Sequence, residues 1–261
     1  MPAGALDAHC HLDLIEQPVG EVLAAARAAG IQRVITVGVD VASSRWSAQC
    51  AADHADVYAA VAIHPNETAA AAHSPSERES ALAEIASLAG LPQVRAIGET
   101  GLDYYRDYAG PEIQRKFFRA HIEIAKRSGK ALMIHDRDAH DDVLRILGEE
   151  GPPQQVIFHC FSGDAAMAKR CAEAGYAMSF AGNLTFANAA GLRDAAAAAP
   201  PDLLLVETDA PFLTPAPHRG KPNAPALVAH TVRCLADVKG MDVEELCAQL
   251  TATGERVFGS W

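Results

Sequence analysis

Short apolar segments rich in Val, Ile and Leu recur along the chain and alternate with longer, alanine-rich stretches. Each apolar segment has five to seven residues, which is strand length rather than helix length. Their near-continuous apolar character is typical of parallel strands that are buried on both faces. The predicted strands are Ala5–His11, Arg33–Val39, Val57–Ile63, Val94–Glu99, Lys130–His135, Gln155–His159, Tyr176–Phe180 and Leu203–Glu207.

The stretches between these segments predict helices, and several carry residues typical of helix ends. Pro111 suits the first turn of a helix, and Gly129 and Gly240 follow helical stretches where a left-handed C-cap favours glycine. Ser76 and Glu79 have the spacing of a capping box. The predicted helices cover about 19–29, 42–54, 76–89, 111–128, 138–149, 164–174, 187–198 and 224–238, with a last one at about 242–257.

Eight strand–helix units in succession predict an α/β protein with the (β/α)8 TIM-barrel fold, as a single domain covering residues 1–261. An open, doubly wound sheet is the alternative. It is disfavoured because no G-x-G-x-x-G motif follows the first strand. The long irregular stretch Thr214–Pro225 follows the eighth strand, on the side where such barrels build their active sites.

The composition of the 261 residues, 49% hydrophobic and 21% charged, is that of a globular protein with a large core. It excludes disordered and collagen-like chains. No apolar run reaches the length needed to cross a bilayer, and the N-terminal residues do not resemble a signal peptide. Six cysteines without a C-x-x-C pair favour reduced thiols. We therefore expect a cytoplasmic protein without membrane partners, and a monomer.

The formal net charge of −11 argues against a protein that coats nucleic acids, because affinity for phosphates comes from a basic surface. Local basic sites remain compatible with this charge. Arg219 and Lys221, which flank a glycine, form one such site. Part of the acidic excess is expected in metal ligands, whose charge a bound cation would offset.

The first strand ends in a His-x-His pair. Residues i and i+2 of a strand face the same way, so His9 and His11 project to one side and Cys10 to the other. Two imidazoles on one face can bind the same cation. Taken alone, this pair is a weak indication of a metal site.

Other strand ends strengthen that indication, because the carboxyl ends of all strands in a parallel barrel lie on one rim. Six donors are expected to converge there, more than a single catalytic zinc uses. They fit two divalent ions, Mg, Mn or Zn, with Glu99 as a bridging carboxylate. His9, His11 and Asp209 would hold one ion, and His135 and His159 the other with Glu99. The predicted ligands are His9, His11, Glu99, His135, His159 and Asp209.

These residues lie in segments that resemble the TatD family of metal-dependent deoxyribonucleases, within the amidohydrolase-like barrels. The resemblance covers nearly the whole chain. Two positions depart from the family pattern, Ala224 in place of Glu and Gly254 in place of Asn. The matching segments are Asp7–Asp13 (DAHCHLD), Ile63–Pro65 (IHP), Gly98–Tyr104 (GETGLDY), His135–Ala139 (HDRDA), His159–Gly163 (HCFSG), Glu207–Pro211 (ETDAP) and Arg219–Pro225 (RGKPNAP).

The resemblance implies the same six ligands and a hydrolase that cleaves DNA phosphodiesters, acting from the 3′ end of single strands. In this interpretation Asp209 is the general base and Glu99 the second catalytic carboxylate. Asp7 and Asp13 are expected to support the histidine ligands. Tyr104, Tyr105 and Tyr108 are candidates for stacking a base, with packing at the barrel mouth as the alternative. The expected substrate contacts are His64, Arg137, Arg219 and Lys221.

Two other functions use the same residues. A two-metal ester or amide hydrolase, such as an aminoacyl-tRNA deacylase or a small-molecule amidohydrolase, suits the six donors equally well and agrees better with the acidic charge. A non-catalytic metal-binding scaffold is the more remote alternative, because it predicts a missing ligand and none is missing.

Overall fold

The computed structural model describes residues 5–106 and 108–260. Its eight strands are parallel and follow one another in chain order in a single sheet, with helices between them. This is the predicted (β/α)8 barrel, so the fold prediction is confirmed. The strands are β1 (Ala5–Cys10), β2 (Ile31–Val37), β3 (Val57–Val61), β4 (Val94–Asp103), β5 (Ala131–Arg137), β6 (Val156–Phe158), β7 (Ala177–Phe180) and β8 (Leu204–Val206).

Helices follow the strands at the predicted places, with boundaries that differ by a few residues. Those of the described chain are α1 (Val19–Ala28), α2 (Val41–Asp53), α3 (Pro75–Leu88), α4 (Pro111–Ser128), α5 (His140–Glu150), α6 (Ala165–Glu173), α7 (Ala190–Ala198), α8 (Val228–Lys239) and α9 (Val243–Phe258). No helix in this part of the chain is long and apolar enough to span a membrane.

The ends of two helices show which residues of the sequence predict a helix boundary correctly. Pro111 occupies the first turn of α4, and Gly129 ends that helix with φ of +64°, both as predicted. The start of α3 was predicted wrongly. Its N-cap is Ser74, whose hydroxyl accepts a hydrogen bond from the Glu77 amide at 3.2 Å. Pro75 then fits the first helical position, which the predicted cap at Ser76 did not take into account.

The described chain divides into two compact units. The first runs up to Thr36 and resumes at His159, and the second is Val37–Phe158. In the first unit β1 pairs with β2, β7 pairs with β8, and a bridge joins Cys10 to Ala210. In the second unit β4 lies between β3 and β5, and β5 pairs with β6. The single-domain prediction stays a prediction.

Strand β4 is longer than predicted and carries the most consequential difference. It continues past Glu99 to Asp103, which pairs with Arg137 at the end of β5. Gly101 allows this extension, since its φ is +142° and a Cβ there would collide with the carbonyl oxygen of His135. The close approach of β4 and β5 places Glu99 and Asp103 beside His135.

Candidate metal centre

The first unit contains a triangle of donor atoms at the carboxyl end of β1. His9 Nε2 and His11 Nε2 are 3.3 Å apart, and Asp209 Oδ1 lies 3.7 Å from the first and 3.6 Å from the second. Metal–ligand bonds of about 2.1 Å in tetrahedral geometry place donors about 3.4 Å apart. The triangle therefore fits one divalent ion, and it contains three of the six predicted ligands.

The backbone holds this triangle together. The Asp209 amide donates to the His9 carbonyl at 2.9 Å, and the His11 amide donates to the Ala210 carbonyl at 2.8 Å. Asp209 itself has a φ of +53°, a backbone conformation that non-glycine residues seldom adopt. The sequence after β8 is thus bent so that the Asp209 carboxylate faces the two imidazoles, and such strain is common at functional sites.

The charge of Asp209 is stabilised by the imidazoles around it. Burial raises its pKa, but the interaction with His11 and the nearby rings of His9 and His159 outweigh burial, so that its pKa lies below the usual range. Asp209 is therefore a carboxylate at neutral pH, as both a metal ligand and a proton acceptor require.

Asp7 supports the same strand end in a different way from that predicted. Its carboxyl accepts hydrogen bonds from the backbone amides of His9, at 3.3 Å, and Thr208, at 2.8 Å, and it contacts the Thr208 hydroxyl. It thus holds the backbone of a ligand-bearing segment. Burial raises its pKa to about 8, against the opposing hydrogen bonds from Thr208.

His159 lies in the first unit beside His9 and a fully buried carboxyl group. Its ring stacks on that of His9 with centroids 3.9 Å apart, and its Nδ1 is 3.1 Å from Glu207 Oε1. His159 thus forms a group of possible metal ligands with His9 and Glu207. The expected sharing of an ion with His135 and Glu99 stays a prediction. Glu207 Oε2 has no hydrogen-bond partner within the described residues. An unsatisfied buried carboxylate oxygen is expensive unless something cationic meets it, so this group also fits a divalent ion.

Sequence reasoning assigned no role to Glu207, although a usable signal was present. Glu207 and Asp209 are two positions apart after the eighth strand, with one residue between them, as His9 and His11 are at the first. The same argument about alternation would have selected both carboxylates.

The second unit contains its own donor cluster, at the carboxyl ends of β3, β4 and β5. Glu99 Oε2 lies 3.1 Å from His135 Nδ1 and 3.5 Å from His64 Nε2. All three side chains are largely buried. Two of them are predicted ligands, and His64 was predicted as a substrate contact. The donor atoms lie close enough together to share an ion.

Asp103 is a member of this cluster that sequence reasoning did not identify. Its Oδ2 is 3.2 Å from His135 Nε2 and accepts a hydrogen bond from the Asn66 side chain at 3.1 Å. Burial raises the pKa of Asp103, but the hydrogen bond from His135 and the amide of Arg106 outweigh it and hold the pKa well below its usual range. Because Asp103 was placed in a loop after the strand, its contact with His135 was not foreseeable.

His64 is oriented by a backbone hydrogen bond. Its Nδ1 accepts from the Asn66 amide at 3.0 Å, so in the neutral ring the proton resides on Nε2. That N–H faces Glu99 Oε2 at 3.5 Å. This tautomer makes His64 a hydrogen-bond donor, which agrees with the predicted role in contacting substrate better than with that of a ligand.

The three predicted phosphate contacts are cationic side chains outside the clusters. The Arg137 guanidinium lies 3.9 Å from the centroid of Tyr105, and that of Arg219 lies 3.5 Å from the centroid of Phe186. Lys221 is exposed. The Asn223 side chain donates to the Thr208 carbonyl at 2.9 Å. The loop that carries Arg219 and Lys221 is thereby tied to the segment that carries Asp209.

Comparisons with known proteins show the family and the fold to which this chain is similar. Residues 6–259 match the family model described as TatD related DNase. The chain is 44% identical to an uncharacterized metal-dependent hydrolase, TatD, of Mycobacterium tuberculosis, with 97% of each chain covered. It is 36% identical to another, YabD of Bacillus subtilis, over 97% of this chain and 98% of the relative.

A solved structure gives the same result for the fold. YJJV, a TatD homolog from Escherichia coli, has 27% sequence identity and a TM-score of 0.92, with each chain covered completely. A TatD-family hydrolase from Entamoeba histolytica has a TM-score of 0.82 at 17% identity, a likeness of fold alone.

Proposed function

Because the chain belongs to the TatD-related DNase family and is a metal-dependent hydrolase, we propose that it hydrolyses phosphodiester bonds of DNA. Its proposed mode is that of a 3′–5′ exonuclease on single strands, with two divalent ions as cofactors. The observation that carries this proposal is the triangle of His9, His11 and Asp209, whose donor separations suit a divalent ion.

The proposed ligands are divided between the units. His9, His11 and Asp209 would hold an ion in the first unit, where His159 and Glu207 lie beside His9. Glu99 and His135 would hold an ion in the second. Bound divalent ions supply Lewis acidity toward phosphate oxygens and make water a nucleophile at neutral pH.

Asp209 is the proposed general base. It is ionised at neutral pH because the surrounding imidazoles lower its pKa. It can therefore accept a proton from the attacking water, and a positioned base of this kind accelerates hydrolysis by about 10²- to 10⁴-fold. Glu99 is the second proposed catalytic carboxylate, with its Oε2 facing both His135 and His64.

Four side chains are proposed to contact the substrate. His64 would donate its Nε2–H to a phosphate oxygen, since its Nδ1 is occupied by the Asn66 amide. Arg137, Arg219 and Lys221 would bind phosphates. The stacking of Arg137 on Tyr105 and of Arg219 on Phe186 orients both guanidinium groups in advance.

The proposal is tested by incubating end-labelled single-stranded DNA with metal-stripped protein to which Mg²⁺, Mn²⁺ or Zn²⁺ is returned. Stepwise shortening from the 3′ end is expected only with metal, and its rate should fall by about 10³-fold in Asp209→Asn. Asp202→Asn is the matched control, because Asp202 is exposed and lies in the same unit. It should cleave DNA like the wild type.

The same preparation is tested on an aminoacyl-tRNA and on a simple carboxylic ester. Hydrolysis of the aminoacyl-tRNA or of the ester, without cleavage of DNA in the presence of any of the metals, would contradict the proposal. It would indicate that the substrate is a carboxylic ester or amide. Binding of metal without hydrolysis of any of these substrates would contradict an enzymatic role.

A further inference from the structure

Two tyrosines on the segment between β4 and α4 are unusually exposed. Tyr105 is 65% exposed and Tyr108 is 63% exposed, more than any other large apolar side chain in the described residues. Aromatic side chains normally bury most of their surface because they contribute so much to packing. Two exposed rings within four positions of the chain are suited to a ligand that stacks on aromatic groups.

Each of these tyrosines is paired with an arginine. The Arg137 guanidinium lies 3.9 Å from the ring centroid of Tyr105. The Arg106 guanidinium lies 5.5 Å from that of Tyr108, and its Nη1 donates to the Tyr108 hydroxyl at 3.1 Å. We call these four residues the Tyr–Arg platform. Alternating aromatic rings and cations match the alternating bases and phosphates of a single strand.

The platform is attached to the donor cluster of the second unit through one carboxylate. Asp103 Oδ1 accepts hydrogen bonds from the amides of Tyr105, at 3.0 Å, and Arg106, at 2.9 Å. Its Oδ2 is 3.2 Å from His135 Nε2. Tyr105 and Arg106 are therefore positioned by the side chain that also orients a proposed metal ligand.

The neighbouring segment strengthens this attachment. The Tyr104 amide donates to the Arg137 carbonyl at 2.9 Å, and the Tyr104 hydroxyl donates to Asp142 Oδ2 at 2.6 Å. Tyr104 is thus a packing residue, whereas Tyr105 and Tyr108 are left to the surface. The sequence had offered all three equally as candidates for stacking or packing.

We propose that the Tyr–Arg platform binds single-stranded DNA by stacking one or two bases, so that the adjoining phosphate reaches the donor cluster. This inference rests on the proposed function and adds how the strand is held. Stacking suits any base, because every base has a π face. Arg106 and Arg137 supply local positive charge for the phosphates on a chain whose net charge is −11.

The test measures binding and cleavage separately. Binding of a fluorescent single-stranded oligonucleotide with hydrolysis-resistant phosphorothioate linkages is followed by anisotropy, with the metal-loaded protein. Tyr105→Ala and Tyr108→Ala are each compared with the Phe variant at the same position, which keeps the ring. Leu91→Ala is the matched control, because Leu91 is an exposed apolar residue of the same unit.

Each Ala variant is expected to weaken binding by about 5- to 100-fold, in line with the loss of one stacked base. The Phe variants and Leu91→Ala should bind like the wild type. With cleavable DNA, the loss should appear in KM and leave kcat unchanged. An oligonucleotide with abasic sites should bind equally weakly to the wild type and to the Ala variants.

Unchanged binding and KM in both Ala variants would contradict the proposed role of the Tyr–Arg platform, even if the protein cleaves DNA. Weaker binding of the abasic oligonucleotide by the Ala variants than by the wild type would also overturn it, since that loss would not involve a base. If DNA is not cleaved but binding still depends on the rings, the proposed reaction fails while the platform stands.

Discussion

The two donor clusters use similar residues but are organised differently. In the first unit, His9, His11 and Asp209 present their donor atoms to one another at 3.3–3.7 Å. In the second unit, Glu99 and Asp103 lie within hydrogen-bond distance of the two ring nitrogens of His135. The first cluster resembles a cation site. The second cluster is a network of hydrogen bonds around His135 in which a cation site is included.

This difference indicates that the two clusters differ in metal affinity and in their connections to substrate-binding residues. In the first unit, the three donor atoms lie 3.3–3.7 Å apart, close to the separation in a tetrahedral site. In the second unit, both ring nitrogens of His135 face carboxylates, so a cation there has to displace one of those contacts. We therefore expect tighter metal binding by the first cluster. The second cluster has the richer connections to proposed substrate-binding residues, through Asp103 to Tyr105 and Arg106 and through His64.

The largest effect is expected for Asp209→Asn, which removes a charged metal donor and the proposed proton acceptor together. We expect kcat/KM for single-stranded DNA to fall by about 10³-fold. Metal content, measured on the purified variant, should fall by the tightly held ion. Retention of that ion at full affinity would show that the triangle is not a metal site.

Asp103→Asn tests the network of the second cluster and is expected to have a smaller effect. The amide keeps the shape of the side chain but weakens its interaction with His135 Nε2, which orients a proposed ligand. Loss of such a supporting carboxylate typically lowers metal affinity or activity by about 10- to 100-fold. Steady-state kinetics at saturating metal would measure it. A loss as large as that of Asp209→Asn would remove the distinction between the clusters.

A third prediction concerns His121, a residue of α4 that supports the second cluster through hydrogen bonds. Its Nε2 accepts from the Ile63 amide at 3.2 Å and its Nδ1 lies 2.9 Å from the Thr100 hydroxyl, so α4 holds the residues next to His64 and Glu99. Burial lowers the pKa of His121 to about 3. The native state keeps this ring neutral while the unfolded chain binds a proton below pH ~6.5.

The stability that His121 contributes is therefore present at neutral pH and is lost as the pH falls from about 6.5 toward 3. The free-energy gap between the wild type and His121→Gln should shrink by about 1.4 kcal/mol per pH unit below pH 6. Urea unfolding of both proteins at pH 7 and pH 4.5 measures the gap. A gap independent of pH would mean that His121 binds a proton as readily in the native protein as in the unfolded chain, which would contradict this assignment.

The smallest effect is expected for His140, at the start of α5. Its Nδ1 lies 2.7 Å from Asp136 Oδ2, and this hydrogen bond raises the pKa of the imidazole. The stabilisation by the charged ring is complete at acidic pH and is lost as the pH rises through the raised pKa. The ring is partly exposed, so the effect is small. The melting-temperature difference between the wild type and His140→Asn should shrink from pH 6 to pH 9, and a widening would contradict this assignment.

Much of the site could be predicted from the sequence alone, because the ends of strands and the alternating direction of side chains along a strand are local features. His9, His11 and Asp209 were brought together correctly by those rules. Glu207 was missed although the same rule reaches it. Asp103 was out of reach, because its position depends on the extension of β4 alongside β5 past Gly101. The stacking of His159 on His9 likewise depends on side-chain packing, which no spacing in the sequence reveals.

The proposed function depends most on the link between bound metal and DNA cleavage. The direct measurement is the rate of single-stranded DNA hydrolysis as a function of metal bound per chain, determined on one metal-stripped preparation during stepwise reloading. We predict no cleavage by the stripped protein, and activity that appears as ions are bound and is about 10³-fold lower in Asp209→Asn. Cleavage by fully stripped protein, or by metal-loaded Asp209→Asn at the wild-type rate, would contradict the account.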